Sequence, residues 1–233
     1  MRKVMDFFFK KLRGNEFHLD DRIPSSYLVR MAFERVCMLS RGFFSFIKND
    51  GFLFLGRNTT IKARPMIRAG RSVTIDRNCY IDALSLKGII IGDGSTIGKS
   101  TTVECTGTVR EMGVGLTIGK GVGLGTHGFF GCAGGIEIGE NTILGNFVSM
   151  HSENHVINKP GSLIKNQGVT RQGIVIGENC WIGAKATILD GVVLGNGVVV
   201  AAGAVLTAGF YEGDSVYGGI PAKFIRKRLD SET

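Results

Sequence analysis

Proline is nearly missing from this chain, with four in 233 residues, and tryptophan occurs once. So few prolines exclude a Pro-rich linker, and no collagen-like Gly-X-Y period is present. The five cysteines (Cys37, Cys79, Cys105, Cys132 and Cys180) are odd in number and never form a CxxC. A disulfide framework is therefore excluded, and reduced, buried or half-buried thiols of a cytoplasmic protein are expected. Long apolar runs are missing too. Phe7-Phe8-Phe9 is cut off by Lys10 and Lys11, well short of a signal-peptide core, and Val192–Leu206 is too short and too interrupted to span a bilayer. With 43% hydrophobic and 21% charged residues, intrinsic disorder is excluded. What the chain has in excess is glycine: 35 residues, about twice the usual ~7%. Without collagen or linker composition, those glycines belong to something folded and dense in turns.

The net charge of +8 is unevenly spread. Residues 1–72 carry fifteen Lys/Arg against six Asp/Glu, whereas residues 73–220 carry nine against twelve. A nucleic-acid binder places its basic residues along the main folded surface. Here the main body is slightly acidic, so no nucleic-acid partner is expected, and a basic N-terminal region facing a membrane or another anionic partner is.

The glycines fall into a repeat. Aliphatic residues followed by a small residue recur every six positions, as in Ile91-Gly92 and Ile97-Gly98, Ile118-Gly119 and Leu124-Gly125, or Ile138-Gly139 and Leu144-Gly145. The series resumes at Ile176-Gly177, Ile182-Gly183, Ile188, Leu194-Gly195, Val200-Ala201 and Leu206. Four residues after each anchor stands another small or branched residue, such as Cys180, Ala186, Val192, Val198 or Ala204. A plain strand or helix repeats at 2 or 3.6 and cannot hold a six-residue phase. Six residues make a short strand and a tight corner, three units close a triangular coil, and coils stack at ~4.8 Å. About seven coils are expected between Leu55 and Leu206.

Insertions in such a stack become loops on a working face. Val103 to Ile118 is nine residues too long, Phe130 to Ile138 two, and Met150 to Ile176 twenty. The last insertion, a projecting loop over 154–173, is polar and follows two histidines. Three regions result: a basic helical segment over 1–50, the repeat domain over 51–210, and a closing segment over 211–233. In the first, Ser25-Ser26 can cap a helix to about Arg41, with Leu28, Met31, Ala32, Arg35, Val36 and Leu39 at helical spacing. It reads either as a cap on the open end of the stack or as an interfacial element with Phe7–Phe9, Phe43, Phe44 and Phe46 as anchors.

The strings Ile176-Gly177-Glu178-Asn179-Cys180-Trp181-Ile182-Gly183-Ala184, Ala201-Ala202-Gly203-Ala204-Val205-Leu206-Thr207 and Gly219-Ile220-Pro221-Ala222-Lys223 resemble the hexapeptide-repeat acyltransferases. The likeness is greatest to the sugar O-acetyltransferase branch, which includes galactoside, maltose and surface-polysaccharide acetyltransferases. It covers roughly residues 55–228. It implies an all-β, left-handed parallel β-helix, a homotrimer, acetyl-CoA as donor and a sugar or glycan as acceptor.

The resemblance further implies a general base in the long inter-coil loop, five residues past the third anchor of its coil. Met150 is that anchor and His155 the fifth residue on. An imidazole, with an ordinary pKa near ~6.5, suits removal of a hydroxyl proton at neutral pH. His151, Glu153 and Asn154 are placed on the acceptor side or behind the base; Glu153 or a backbone carbonyl would orient His155. Donor contacts carry over to Trp181, Ala184, Ala202 and Thr207 along the pantetheine arm, and to Lys223 and Arg226 near the phosphates. Ala208 stands where the family usually has lysine, so phosphate contacts fall to Lys223, Arg226, Lys227 or Arg228. His18 and His127 are read as ordinary surface or packed histidines.

No metal is expected. The rival from another class is a zinc site of the carbonic-anhydrase kind on His127, His151 and His155. Within acyl transfer, N-acetylation of an amino sugar and acetylation of an antibiotic stay open, because hydroxyl and amine acceptors use the same base and donor cleft. A non-catalytic assembly role is the remaining alternative.

Overall fold

The computed structural model describes residues 20, 22–108 and 110–228; Phe7–Phe9 and His18 lie outside the described residues. Apart from the closing strands, which are longer, and a small antiparallel pair, its strands are two or three residues long and fall into three parallel sheets, the faces of a prism. The first face runs from Lys48–Asn49 to Gly209–Tyr211 in eight strands. The second runs from Leu53–Leu55 to Ser215–Gly219 and is closed by an antiparallel strand, Ala222–Lys227. The third runs from Thr60–Lys62 to Val205–Leu206 in seven strands, which matches the seven coils expected. This is a parallel β-helix, consistent with the left-handed one expected.

The six-residue phase survives because it sets which side chains enter the prism. Ile176, Cys180, Ile182, Ala186, Ile188, Val192, Leu194, Val198 and Val200 are all buried. Cys79 holds the same anchor-plus-four position as Cys180, and burial pushes its thiol up to about 11. Such a thiol is a packing group rather than a nucleophile. Together with Cys37, Cys105 and Cys132, these cysteines are free, as expected.

The glycine after each anchor has a specific cause. A Cβ on Gly183 would lie 2.5 Å from the Ala202 backbone nitrogen, and one on Gly145 would lie 2.5 Å from that of Ala184. Stacked corners approach too closely for a side chain. The left-handed residue comes two positions later and need not be glycine: Asn141, Asn179 and Lys185 hold φ of 57°, 53° and 61°.

Register shows where the insertions leave. Ile176 pairs with Leu194, eighteen residues on, but Ile138 pairs with Ile176, thirty-eight residues on. All three long gaps open at the corner between the third and first faces, so the loops emerge along one edge.

The helix Ser25–Phe43 covers the start of the second face. Its N-cap is Pro24, with no side-chain cap bond, so Ser25 and Ser26 begin the helix rather than cap it. Arg41 Nε donates to the Leu55 carbonyl at 2.8 Å, and Gly42 packs against the Leu53 carbonyl so closely that no Cβ would fit. These contacts cover the first strand's open edge, a region that would otherwise invite pairing with another chain. Val36, read from sequence with the packed residues, is 63% exposed. No helix among the described residues is long and apolar enough to cross a membrane.

Candidate active site

His155 lies on an arm off the edge between the third and first faces. Its strand, Asn154–His155, pairs antiparallel with Val169–Thr170, His155 opposite Val169. Both Asn154 and His155 are exposed, and no described group hydrogen-bonds the His155 imidazole. The arm is nevertheless fixed at its base by three ties. Buried Ser152 donates through Oγ to the Gly131 carbonyl at 2.8 Å and accepts from the Gly134 N–H at 2.9 Å. Buried Asp190 accepts from the Gln172 N–H at 2.9 Å and the Gly173 N–H at 2.8 Å. Arg171 donates through Nε to Glu153 Oε2 at 2.8 Å and through Nη1 to the Met112 carbonyl at 3.3 Å; Nη1 also lies 3.6 Å from Glu111.

Glu153 is thus engaged by Arg171, and its carboxylate holds the arm rather than the base. The Arg171 side chain, 15% exposed, ties the arm to the loop between Val103 and Ile118, so two insertions that are distant in sequence form one unit. Sequence reasoning missed Ser152, Arg171 and Asp190. All three bind partners seventeen or more residues away, and no local pattern announces them. Removing a buried partner of a charged group costs ~1–3 kcal/mol. In Arg171→Met, amide hydrogen exchange across residues 154–170 is expected to quicken by about tenfold or more while the prism strands stay protected. Unchanged exchange in the arm would mean that Arg171 does not hold it.

His151 stands on the third face, pointing outward on the strand Ser149–His151. Its Nε2 lies 2.6 Å from Ser149 Oγ, and its ring stacks on Phe129 at 5.3 Å between centroids. Burial lowers its pKa. The folded protein therefore favours neutral His151, and this contribution to stability is lost only as pH falls from ~6.5 downward. His127 is a left-handed corner residue between the second and third faces, stacked on Phe147 at 4.9 Å. The three histidines of the zinc alternative thus occupy a corner, a face and an arm. Among the described residues, no three His, Cys, Asp or Glu side chains converge.

The donor-side residues lie elsewhere on the prism. Trp181 projects from the second face between Ile143 and Val199 and is 54% exposed. Ala184 and Ala202 stack at the corner between the second and third faces. Thr207 is at the end of the third face, its backbone exchanging hydrogen bonds with the Tyr211 hydroxyl. Lys223 and Arg226 are exposed on the closing strand. Of the four basic candidates there, Lys227 pairs with Glu212 at 2.7 Å and Arg228 lies 3.7 Å from Asp214. Those two serve the closure, whereas Lys223 has no acidic partner among the described residues. Within one chain, then, the third face separates the His155 arm from Trp181, Ala184 and Ala202.

The model of the family described as bacterial transferase hexapeptide (six repeats) matches residues 173–208. The chain is 26% identical over 212 residues to the provisionally named lipopolysaccharide biosynthesis O-acetyl transferase WbbJ of Escherichia coli K12, covering 88% of this chain and 87% of that protein. It is 28% identical to the probable acetyltransferase Rv3034c of Mycobacterium tuberculosis, covering 73% of this chain but 53% of that one. Among solved structures, it shares its fold with AntD, an N-acyltransferase from Bacillus cereus, in complex with dTDP and coenzyme A. That match has a TM-score of 0.54 at 16% identity and covers 79% of this chain and 84% of AntD.

Proposed function

Because the chain belongs to the hexapeptide-repeat transferases, we propose that it transfers an acetyl group from acetyl-CoA to a sugar hydroxyl, in the synthesis of a bacterial surface polysaccharide or lipopolysaccharide. Its sequence relatives are named as acetyl transferases, and AntD, which shares the fold, was solved with coenzyme A. The hydroxyl acceptor is supported by the similarity to WbbJ, which spans most of both chains.

The observation that carries the reading is the His155 arm: an exposed imidazole on a strand whose base is pinned to the prism. In the proposed step, His155 takes the hydroxyl proton as the sugar oxygen attacks the thioester carbonyl, and general-base help of this kind contributes ~10²–10⁴. The C–O bond forms, the carbonyl becomes an oxyanion, and backbone N–H groups at the corners are suited to hold it. Collapse breaks the C–S bond, and the imidazolium returns its proton to the leaving thiolate. Transfer is direct, in a ternary complex of donor and acceptor. Trp181, Ala184, Ala202 and Thr207 would line the pantetheine arm, with Lys223 and Arg226 on the phosphates; His151 and Asn154 would face the acceptor.

On this reading the chain works as a homotrimer in the cytoplasm. One prism keeps base and donor residues on different sides, so a neighbouring copy is needed to bring them together. The arm also exposes Ile157, Leu163 and Ile164, at 73%, 64% and 54%.

Thermal unfolding tests the donor without knowledge of the acceptor. Acetyl-CoA or coenzyme A at a hundred times its dissociation constant stabilises by ~2.7 kcal/mol, a readily measured shift. We expect that shift with either ligand and none with zinc or a chelator. Chelator sensitivity without a coenzyme shift would leave the fold and discard the chemistry. Screening sugars and amino sugars with the bound donor then separates O- from N-transfer.

A further inference from the structure

The helix Ser25–Phe43 has a second apolar side. Leu28 is packed on the prism at 2% exposure, while Val29, Phe33, Val36 and Phe43 are 45%, 68%, 63% and 82% exposed. At about 100° per residue these four fall within an arc of about 80°, on the side away from the prism. Past the helix, Phe44, Phe46 and Phe52 continue the patch at 67%, 85% and 61% exposure. Phe43 and Phe44 meet edge to face at 5.2 Å. Phe46 holds φ of 58°, a conformation uncommon for a bulky residue, and does so with its ring in water. A soluble surface gains nothing from five exposed phenylalanines at one end.

The charge beside the patch identifies what it meets. The first coil exposes Lys48, Arg57, Lys62 and Arg64, and the next strand of the first face adds Arg68; Asp50 is the one exposed acid of this stretch, and Lys62 lies 3.6 Å from the half-buried Asp82. Exposed aromatic rings at the same end of the prism as basic side chains suit a lipid interface, where rings enter the headgroup region and cations stay with phosphate. A protein partner would instead have to offer a groove lined with acidic groups. We infer that the aromatic ridge Phe33–Phe43–Phe46, with the basic first coil, docks the prism end-on against an anionic lipid surface. This assignment is independent of the acetyl-transfer chemistry and fails or stands without it.

The test is co-flotation of the full chain with phosphatidylcholine vesicles, with and without one-third phosphatidylglycerol. Each basic residue near an anionic surface contributes roughly a fivefold gain in partitioning. We expect at least ~10-fold more bound protein on the anionic vesicles and a fall in strong salt. The triple variant Phe33→Ser/Phe43→Ser/Phe46→Ser is expected to lose ~10-fold or more, with an unchanged melting temperature confirming the fold. Two outcomes overturn the proposal: equal soluble recovery with both vesicle types, or binding that survives the triple variant and vanishes on deletion of residues 1–19. A wild-type self-association that the triple variant abolishes, without vesicle binding, would assign the ridge to a second copy of the chain.

Discussion

His155→Ala is expected to lower kcat by about 10²–10⁴-fold while acetyl-CoA still shifts the melting temperature as in the wild type. The imidazole is exposed and bonded to no described group, so its removal opens no cavity and breaks no tie. Loss of activity with donor binding and stability intact is the signature of a group that acts on the reacting atoms. His151 provides the control. It is packed against Phe129 and Ser149, so His151→Ala should cost stability and alter the acceptor KM more than kcat. If His151→Ala is the dead variant and His155→Ala turns over normally, the base has been misplaced by one strand.

Asp190→Ala should have the largest effect on stability among the residues at the arm's base. Its carboxylate is 1% exposed and accepts from two backbone amides, those of Gln172 and Gly173. Alanine leaves both N–H groups without their acceptor where the arm rejoins the first face, for a loss of about 2–4 kcal/mol. For a chain of this size that is a fall of roughly 4–16 °C in melting temperature. Asp190→Asn keeps one accepting oxygen but adds an amide donor, and should fall between the two. Activity in Asp190→Ala should drop further than stability alone explains, because the strand that pairs with His155 leads directly into Gln172. A melting temperature within a degree of wild type would show that the carboxylate is tolerated there rather than needed.

The base and its anchor illustrate two kinds of information. The family resemblance puts the proposed base at His155 by a count along the chain, five residues past an anchor whose phase the repeat sets. Asp190 falls in the same repeat, two residues past Ile188, yet nothing in Leu189-Asp190-Gly191 marks a buried acceptor. Its partners, Gln172 and Gly173, are supplied by the returning end of the arm, eighteen and seventeen residues earlier. Arg171 is a stronger case, since its bond to the Met112 carbonyl spans fifty-nine positions. In the basic tail the resemblance points to Lys223 and Arg226 for the phosphates, with Lys227 and Arg228 as further candidates; the last two lie beside Glu212 and Asp214.

By itself the sequence determined the coil. A six-residue alternation of aliphatic and small side chains is a local property, and burying it leaves no arrangement but short strands turning three to a layer. Even the odd glycine content follows from layers that stack too closely for a Cβ at the corner. Only the tertiary structure decided that three unrelated insertions leave by the same edge, that Arg171 joins two of them, and that the helix keeps a row of phenylalanines turned outward. Those outcomes depend on which distant segments the stacking brings side by side, and a repeat's phase contains no information about its insertions. The same stacking separates His155 from Trp181 by the full width of a face.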